Sequence, residues 1–426
     1  MLKRIIVILF SVVLLAGCLP SPITDTHKNS FQKSMISRSL VNIGNTERIN
    51  SKIKYAKKGE KLLVAFVGTF AFVEDENGQS VADTAVSQIK NLLGKKADVE
   101  LLNFSVYGMT SEFGNIMLNR EVLSKKPDVI FLDYAIFDGH EQSDRENFEA
   151  IIRSCIQQEN NPQVVLFLSS KSDGSPKQDF MEQIAKYYNL PIISSSVAFL
   201  PEYSSGRMKA DEIYSDKLKY TDTGKQYIAD FCTNYFAKVQ KVRADKEYII
   251  PPSMYPNLSV QNPKFVDAAD IQAENDGSYI RAENKNNKLF KSRIEYLTNA
   301  DNIPFIFIVE ADNVYIVAPV SKNRKDVFEI LINGKKTKEF ETYAENEEDM
   351  PQVFKVYSAQ NPEKVAVAVQ IKEQKQEENA ENPDNPDNPQ EENQTVQDNP
   401  EVNPVKYKDF EFWGIAYTNN KLRGQK

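Results

Sequence analysis

The amino-acid sequence predicts an α/β domain followed by an antiparallel β domain, and three observations lead to this fold class. The chain has 426 residues, which is long enough to bury two hydrophobic cores. Between residues 48 and 239, continuous apolar runs alternate with amphipathic stretches, which is typical of a parallel sheet with helices on both faces. From about residue 248 the segments become short and strand-like, and turn residues separate them.

The predicted strands of the first domain are mostly continuous in apolar residues, as expected for strands that are buried on both faces of a sheet. They cover residues 62–67, 99–103, 129–134, 164–168 and 191–194. The amphipathic stretches between them predict helices over residues 80–93, 115–123, 144–158, 177–188 and 221–236. We assign this domain to residues 45–242.

The second domain, residues 246–426, is predicted to be an antiparallel β-sandwich. Its strand-like segments cover residues 305–310, 313–317, 327–332 and 365–371. Asn333-Gly334 is a turn signal that follows the third of these segments. Residues 407–417 contain the only tryptophan, Trp413, and predict one more strand that completes a sheet.

An acidic segment interrupts the second domain. Residues 376–404 hold nine carboxylates and no lysine or arginine, and they repeat the motif Asn-Pro-Asp. Because such a stretch has almost nothing to bury, we expect a disordered loop over residues 373–404. The Asp/Asn-rich run lacks the spacing of an EF-hand, so no metal is expected there. We expect no metal and no cofactor in the rest of the chain either.

The net charge argues against a nucleic-acid partner. The chain carries −8 in total, and the acidic segment contributes −9, so the remainder is close to +1. No basic stripe is apparent along the sequence, and nucleic acid is therefore not an expected partner.

The N-terminus has the pattern of a secretion signal. Lys3 and Arg4 precede an apolar run over residues 5–15, which is too short to span a bilayer comfortably. The run ends in Leu-Ala-Gly-Cys18, which resembles the lipobox of bacterial lipoproteins. An ordinary signal peptide with an incidental cysteine is the alternative.

The lipobox resemblance implies that residues 1–18 are a signal peptide and that Cys18 becomes a lipid-bearing N-terminus, with a diacylglyceryl group and an amide-linked chain such as palmitate. This lipid would be the link to a membrane, and the protein would be extracytoplasmic. Residue 19, which follows Cys18, is leucine and not aspartate, so we expect the protein to be located in the outer membrane of a bacterium that has one. Residues 19–44 are mostly polar and predict a tether.

Four stretches of the first domain carry a resemblance to a known family when their order and spacing are taken together. They are residues 48–70, 101–138, 147–168 and 214–231. Together they resemble the SGNH/GDSL hydrolases, over a little less than half of the chain. The resemblance implies a flavodoxin-like α/β/α fold and hydrolysis or transfer of acyl esters, often acetyl groups on carbohydrates. The β-sandwich resembles, more weakly, the one appended to some secreted members.

The family's chemistry requires a serine nucleophile, an Asp-x-x-His motif, and a glycine and an asparagine that hold the oxyanion. The resemblance places Phe70 at the nucleophile and Phe137 at the asparagine, whereas the glycine is retained as Gly108. Asp216 remains, but Lys219 stands in place of the histidine. A phenyl ring cannot attack a carbonyl, and an exposed lysine is protonated near neutral pH and cannot act as a general base. We expect Asp216 and Lys219 to form an ion pair instead of the family's Asp–His pair.

These substitutions predict a catalytically degenerate member that binds cell-envelope glycan or a partner protein. The candidate ligand-binding residues are Phe70, Tyr107, Phe137 and Asp138, because an aromatic platform at the carboxyl edge of the sheet suits a sugar ring.

Two alternatives stay open. The first is an active esterase with relocated catalytic residues, in which Thr69 or Ser105 is the nucleophile and His140 is the base. The second is a purely structural envelope protein.

Two cysteines remain after Cys18, and a secreted protein could pair them. In the flavodoxin-like order, Cys155 and Cys232 lie on helices that pack on opposite faces of the sheet. A disulfide needs Cα atoms within about 7 Å, so we predict that both thiols are free.

Overall fold

The computed structural model of the protein describes most of the two predicted domains. It covers residues 28–68, 73, 78, 80–176, 179–255, 260–284, 289–297, 301–372 and 407–419, with the backbone alone at 407–409. The predicted signal peptide with Cys18 and the predicted acidic loop over 373–404 lie outside these residues. None of the helices in the covered ranges combines the length and apolar character that a membrane crossing requires.

The first domain is built around a six-stranded sheet. Its strands are β1 (Leu40–Asn42), β2 (Lys61–Gly68), β3 (Asp98–Ser105), β4 (Val129–Asp133), β5 (Gln163–Leu168) and β6 (Ile192–Ser194). Its helices are α1 (Ser30–Ser39), α2 (Glu47–Ala56), α3 (Val81–Leu93), α4 (Ser111–Glu121), α5 (Gln142–Ile156), α6 (Asp179–Tyr187), α7 (Ser195–Ser204) and α8 (Asp222–Val239).

The strand order is β1-β6-β5-β4-β2-β3, and all pairs are parallel except β1 with β6. From β2 onward this is the flavodoxin-like order, which confirms the predicted fold class. Successive residues of β2 enter two different cores, Val64 and Phe66 on one face and Ala65 and Val67 on the other. The continuous apolar run therefore reflects burial on both faces.

The chain before residue 44 differs from the predicted tether over 19–44. Residues 30–39 form α1 and residues 40–42 form the edge strand β1. Asn29 caps α1 in a capping box with Gln32, and Met35 is fully buried. Met35 is the only apolar residue of α1 that is fully buried, so the sequence lacked the apolar periodicity that predicts a helix.

Both internal cysteines are buried and free, as predicted. Cys155 packs into the core on one face of the sheet, and Cys232 packs into the core on the other face. The sheet separates the two thiols.

The second domain is an antiparallel β-sandwich, in agreement with the prediction. Its strands are β7 (Lys264–Asp267), β8 (Ala273–Asn275), β9 (Tyr279–Glu283), β10 (Ser292–Leu297), β11 (Phe305–Val320), β12 (Val327–Ile332), β13 (Lys335–Glu341), β14 (Met350–Ile371), β15 (Tyr407–Phe412) and β16 (Gly414–Thr418). One sheet has the order β13-β12-β14-β11-β16-β7, with β8 beside β11, and the other has the order β15-β10-β9.

Two strand boundaries differ from the predictions. The segments 305–310 and 313–317 belong to one long strand, β11, whose register shifts between Ala311 and Asn313. The single strand predicted over residues 407–417 is two strands, because the chain changes sheets at Trp413. Trp413 is buried and stacks on Phe290 with 4.7 Å between ring centroids.

The two domains pack against each other along α4. This helix is buried over most of its length, because the sheet covers one side and the β domain the other. Phe113 contacts Phe290, and the Asn115 side chain donates to the Val260 carbonyl at 2.8 Å. Arg120 donates to the Leu289 carbonyl at 3.0 Å. The helix that follows Gly108 is thus the docking element for the second domain.

Candidate functional site

The carboxyl ends of three neighbouring strands define the edge where the predicted site lies. Gly68 of β2 is in register with Ser105 of β3 on one side and with Asp133 of β4 on the other. Thr69 and Phe70, at the predicted nucleophile turn, lie outside the described residues. Gly68 has a φ of +132° and is packed tightly against the backbone of Asp133.

Gly108, the predicted glycine of the oxyanion hole, lies between the two domains. Its φ is +78°, in the region that favours glycine. A Cβ atom at this position would lie 2.7 Å from Cγ of Met350, the first residue of β14. The β domain therefore places a side chain directly against Gly108, and no sequence pattern predicted this contact.

Two of the candidate ligand-binding residues form an aromatic pair beside Gly108. The rings of Tyr107 and Phe137 meet edge to face, with 5.4 Å between centroids, and both side chains are half-buried. Burial raises the pKa of the Tyr107 hydroxyl, and the nearby carboxylates of Glu348 and Asp216 raise it further. Residues from both domains therefore surround this pair.

Asp216 and Lys219 lie on an exposed turn near Tyr107. Oδ1 of Asp216 accepts hydrogen bonds from the backbone N–H groups of Leu218 and Lys219, each at 2.6 Å. The carboxylate thus stabilises its own turn, and no ion pair between the Asp216 and Lys219 side chains is present among the described residues. The predicted ion pair is replaced by this local capping.

Asp138 points into the protein and not toward an open cleft. Its side chain is buried, and Oδ1 accepts the backbone N–H of Ser111, in the first turn of α4, at 2.6 Å. Burial raises the pKa of Asp138 to about 8, although the hydrogen bonds from Ser111 lower it. This placement gives Asp138 a structural role at the start of α4, and it argues against the predicted contact with a ligand.

The structure does not bring Ser105 and His140 together. Ser105 Oγ donates to Asn103 Oδ1 at 2.5 Å, on the edge strand β3. His140 is exposed, and its ring meets Phe180 of α6 edge to face at 6.1 Å. No hydrogen bond within the described ranges joins His140 to a serine or threonine hydroxyl.

Sequence reasoning missed a buried polar group at the same edge. Asp133 ends β4 and is fully buried, and Oδ2 accepts a hydrogen bond from Ser169, which follows β5. Ser170 and Ser195 share a hydrogen bond of 2.9 Å, and the Tyr214 hydroxyl donates to the Ser170 carbonyl at 2.8 Å. The available signal was that polar residues follow directly after apolar strands.

The described part of this edge offers aromatic and polar contacts. Within the described ranges, no group of three or more His, Cys, Asp or Glu side chains is placed to hold a metal ion. One cavity, of about 10 Å³, is lined by Arg48, Gln163 and Tyr248 at the opposite end of the sheet. That volume suits about one water molecule, so this cavity is not a ligand site.

The buried carboxyl groups around α4 predict a pH dependence of stability. Burial raises the pKa of Glu112 to about 7, against the opposing effect of Lys355, and the pKa of Asp138 is about 8. Both values lie above those of an unfolded chain, so the folded state holds more protons and loses stability as the pH rises. The contribution of these two groups is complete below about pH 4, and we expect a progressive loss of stability from there up to about pH 8, with each pKa unit equivalent to about 1.4 kcal/mol.

Urea unfolding between pH 5 and pH 8 tests this expectation. Asp138→Asn should flatten the decline, because the amide has no proton to lose. Asp222→Asn is the matched control, since Asp222 has a 99% exposed side chain. An identical decline in Asp138→Asn and in the unchanged protein would contradict the assignment.

The fold defines a class of protein, in which an antiparallel β-sandwich packs against a flavodoxin-like α/β/α domain.

Comparison with known proteins agrees with this class. The chain is similar to a two-domain esterase (CEX) active on acetylated mannans, with 20% identity, 91% of this chain and 99% of that chain covered, and a TM-score of 0.73. The same esterase co-crystallised with mannopentaose gives 20% identity, 91% and 98% coverage, and a TM-score of 0.71. At this identity the likeness establishes the two-domain fold alone. No family model matches the chain, and no curated protein does.

Proposed function

We propose that this protein is a lipid-anchored protein of the bacterial cell envelope whose SGNH hydrolase-like domain binds glycan, or a protein partner, without cleaving an ester. The lipobox that ends at Cys18 supports the anchoring. The expected location is extracytoplasmic, on the outer membrane where the organism has one.

One observation carries the binding role. The three motif positions for serine, asparagine and histidine hold Phe70, Phe137 and Lys219, and the Phe137 ring pairs with Tyr107 beside Gly108. A half-exposed aromatic pair can stack on the apolar face of a sugar ring, and it has no group that could attack an ester. The two-domain neighbour is active on acetylated mannans, which supports a carbohydrate polymer as the ligand class.

The second candidate is an active carbohydrate esterase that uses relocated residues around His140. The esterase activity of the two-domain neighbour favours it, and the different partners of His140 and Ser105, which are Phe180 and Asn103, weigh against it. A purely structural role in the envelope is the remaining alternative.

Two measurements on the polypeptide from Leu19 to Lys426 test these candidates. We expect no turnover of p-nitrophenyl acetate or acetylated mannan above background. We expect saturable binding to at least one member of a panel of envelope and plant glycans. Phe137→Ala should weaken that binding about tenfold or more, because losing the apolar contact of a whole phenyl ring costs about 1.5–3 kcal/mol.

The control variant is Tyr343→Ala, which removes a 52% exposed ring from the β domain. It should leave glycan binding unchanged, and circular dichroism should show that both variants are folded. Ester turnover that disappears in His140→Ala would establish the esterase instead. If neither turnover nor binding is detected, the structural role is the one that remains.

A further inference from the structure

Three Lys-Lys pairs precede three different strands of the parallel sheet. Lys57-Lys58 precedes β2, Lys95-Lys96 precedes β3, and Lys125-Lys126 precedes β4. The pairs are about 30 residues or more apart in the sequence, so no basic stripe is visible along the chain. We call these six residues the lysine edge.

The sheet topology brings the three pairs together. β2 lies between β3 and β4, and all three strands are parallel. Lys61 is in register with Asp98, so β2 and β3 begin at the same level, and β4 begins three residues further along, where Val129 pairs with Val64. Neighbouring strands are about 4.8 Å apart, so the six lysines occupy one end of the sheet within roughly 10 Å of strand spacing.

The lysine edge is exposed, and its six lysines outnumber the carboxylates beside it even when Glu60 and Asp98 are included. All six side chains belong to exposed residues. Among the described residues only Lys125 has a carboxylate within ion-pairing distance, that of Glu121 at 3.9 Å. The nearby carboxylates of Glu100 and Asp128 are engaged by two other lysines, Lys61 and Lys52. A chain with a net charge of −8 thus carries a local concentration of positive charge.

Exposed apolar side chains accompany the charge. Tyr55, at the end of α2, is 48% exposed, and Leu92, near the end of α3, is 39% exposed. The Lys58 ammonium lies 5.7 Å from the centre of the Tyr55 ring. Tyrosine and leucine beside lysines are the combination that suits the boundary between lipid headgroups and acyl chains.

We propose that the lysine edge, with Tyr55 and Leu92, is a docking surface for an anionic phospholipid bilayer. The six basic residues are all lysines, which act as mobile point charges, whereas discrete phosphate recognition favours the fixed fork of arginine. Clusters of four to eight basic residues bind anionic membranes in this way. Because this surface is at the amino ends of the strands, docking turns the edge with Gly108 away from the membrane.

Flotation of the polypeptide from Leu19 to Lys426 with lipid vesicles tests the proposal, since this chain has neither lipid nor apolar leader. We expect binding to vesicles of phosphatidylcholine mixed with phosphatidylglycerol and little binding to phosphatidylcholine alone. Lys95→Gln with Lys96→Gln should weaken binding roughly 25-fold, since each surface lysine contributes about fivefold. Raising the salt from about 0.1 M to about 1 M should also release the protein, because the Debye length falls from about 10 Å to about 3 Å.

Lys335→Gln with Lys364→Gln is the matched control, because both lysines are exposed in the β domain and the net charge changes equally. An equal loss of binding in the control would overturn the proposal, as would equal binding to neutral and anionic vesicles. Two competitors distinguish a lipid bilayer from other ligands that carry phosphate or sulfate. Displacement by inorganic phosphate at constant ionic strength would indicate a discrete anion site instead, and binding to heparin but not to vesicles would indicate a soluble polyanion.

Discussion

Gly68→Ala is expected to destabilise the protein by about 4 kcal/mol, which is a large share of the stability of an ordinary domain. A Cβ atom at this position would lie 2.7 Å from the carbonyl carbon of Asp133 and 2.9 Å from its nitrogen. Both atoms belong to the backbone of a buried central strand, so neither can move aside cheaply. Overpacking costs about 1–3 kcal/mol, and a non-glycine residue at a φ of +132° adds about 1–3 kcal/mol.

Urea unfolding monitored by circular dichroism measures this loss, and Gly94→Ala is the matched control. Gly94 also has a positive φ, of +104°, but a Cβ atom there would meet nothing within 4 Å. Gly94→Ala therefore isolates the backbone strain, and its loss should be about 1–3 kcal/mol. Equal losses in the two variants would show that the close approach of β4 to Gly68 is unimportant.

Glu149→Ala is the second change with a large expected effect, because one buried carboxylate holds the segment between the domains. Oε2 of Glu149 accepts the Ser253 hydroxyl and the backbone N–H of Tyr255, each at 3.0 Å. Oε1 accepts the backbone N–H of Met254 at 2.6 Å and the Tyr188 hydroxyl. Removing the carboxylate leaves these donors without an acceptor. Hydrogen bonds to a charged group contribute about 1.5–3 kcal/mol each. A total loss of about 4 kcal/mol allows for partial access of water.

Hydrogen exchange gives a readout that global stability alone does not. The amides of Met254 and Tyr255 should lose protection in Glu149→Ala by a larger factor than the amides of β4. Glu146→Ala lies one turn earlier on α5 and removes only an exposed hydrogen bond with Gln142, so it serves as the control. Unchanged protection at Met254 and Tyr255 would show that the linker is held by other contacts.

Much of the first domain was predictable because its strands are buried on both faces. The apolar runs at 62–67, 129–134 and 164–168 coincide closely with β2, β4 and β5. A strand that is buried on both faces is apolar at nearly every residue, so its local composition alone predicts it. The helix α1 and the strand β1 carry no such signal, because most of their contacts are polar or lie on one side.

The candidate site was predictable only in part. The sequence identified Tyr107 and Phe137, and the structure pairs their rings. It did not identify Met350, which is more than 200 residues from Gly108 and reaches it only because the β domain docks on α4. It also placed Asp138 among the ligand-binding candidates, whereas that side chain is buried and accepts a hydrogen bond from Ser111 in the first turn of α4.

The sequence by itself determined which chemical groups stand at the motif positions. It contains Phe70, Phe137 and Lys219 in every conformation, and their assignment to the positions of the nucleophile, the oxyanion asparagine and the base stays a prediction. The tertiary structure alone decided which groups become neighbours. Strand register gathers three distant lysine pairs at one end of the sheet, and domain docking brings Met350 to Gly108. The physical reason is that local patterns record burial and turn chemistry, whereas register and docking depend on packing between residues far apart in the chain.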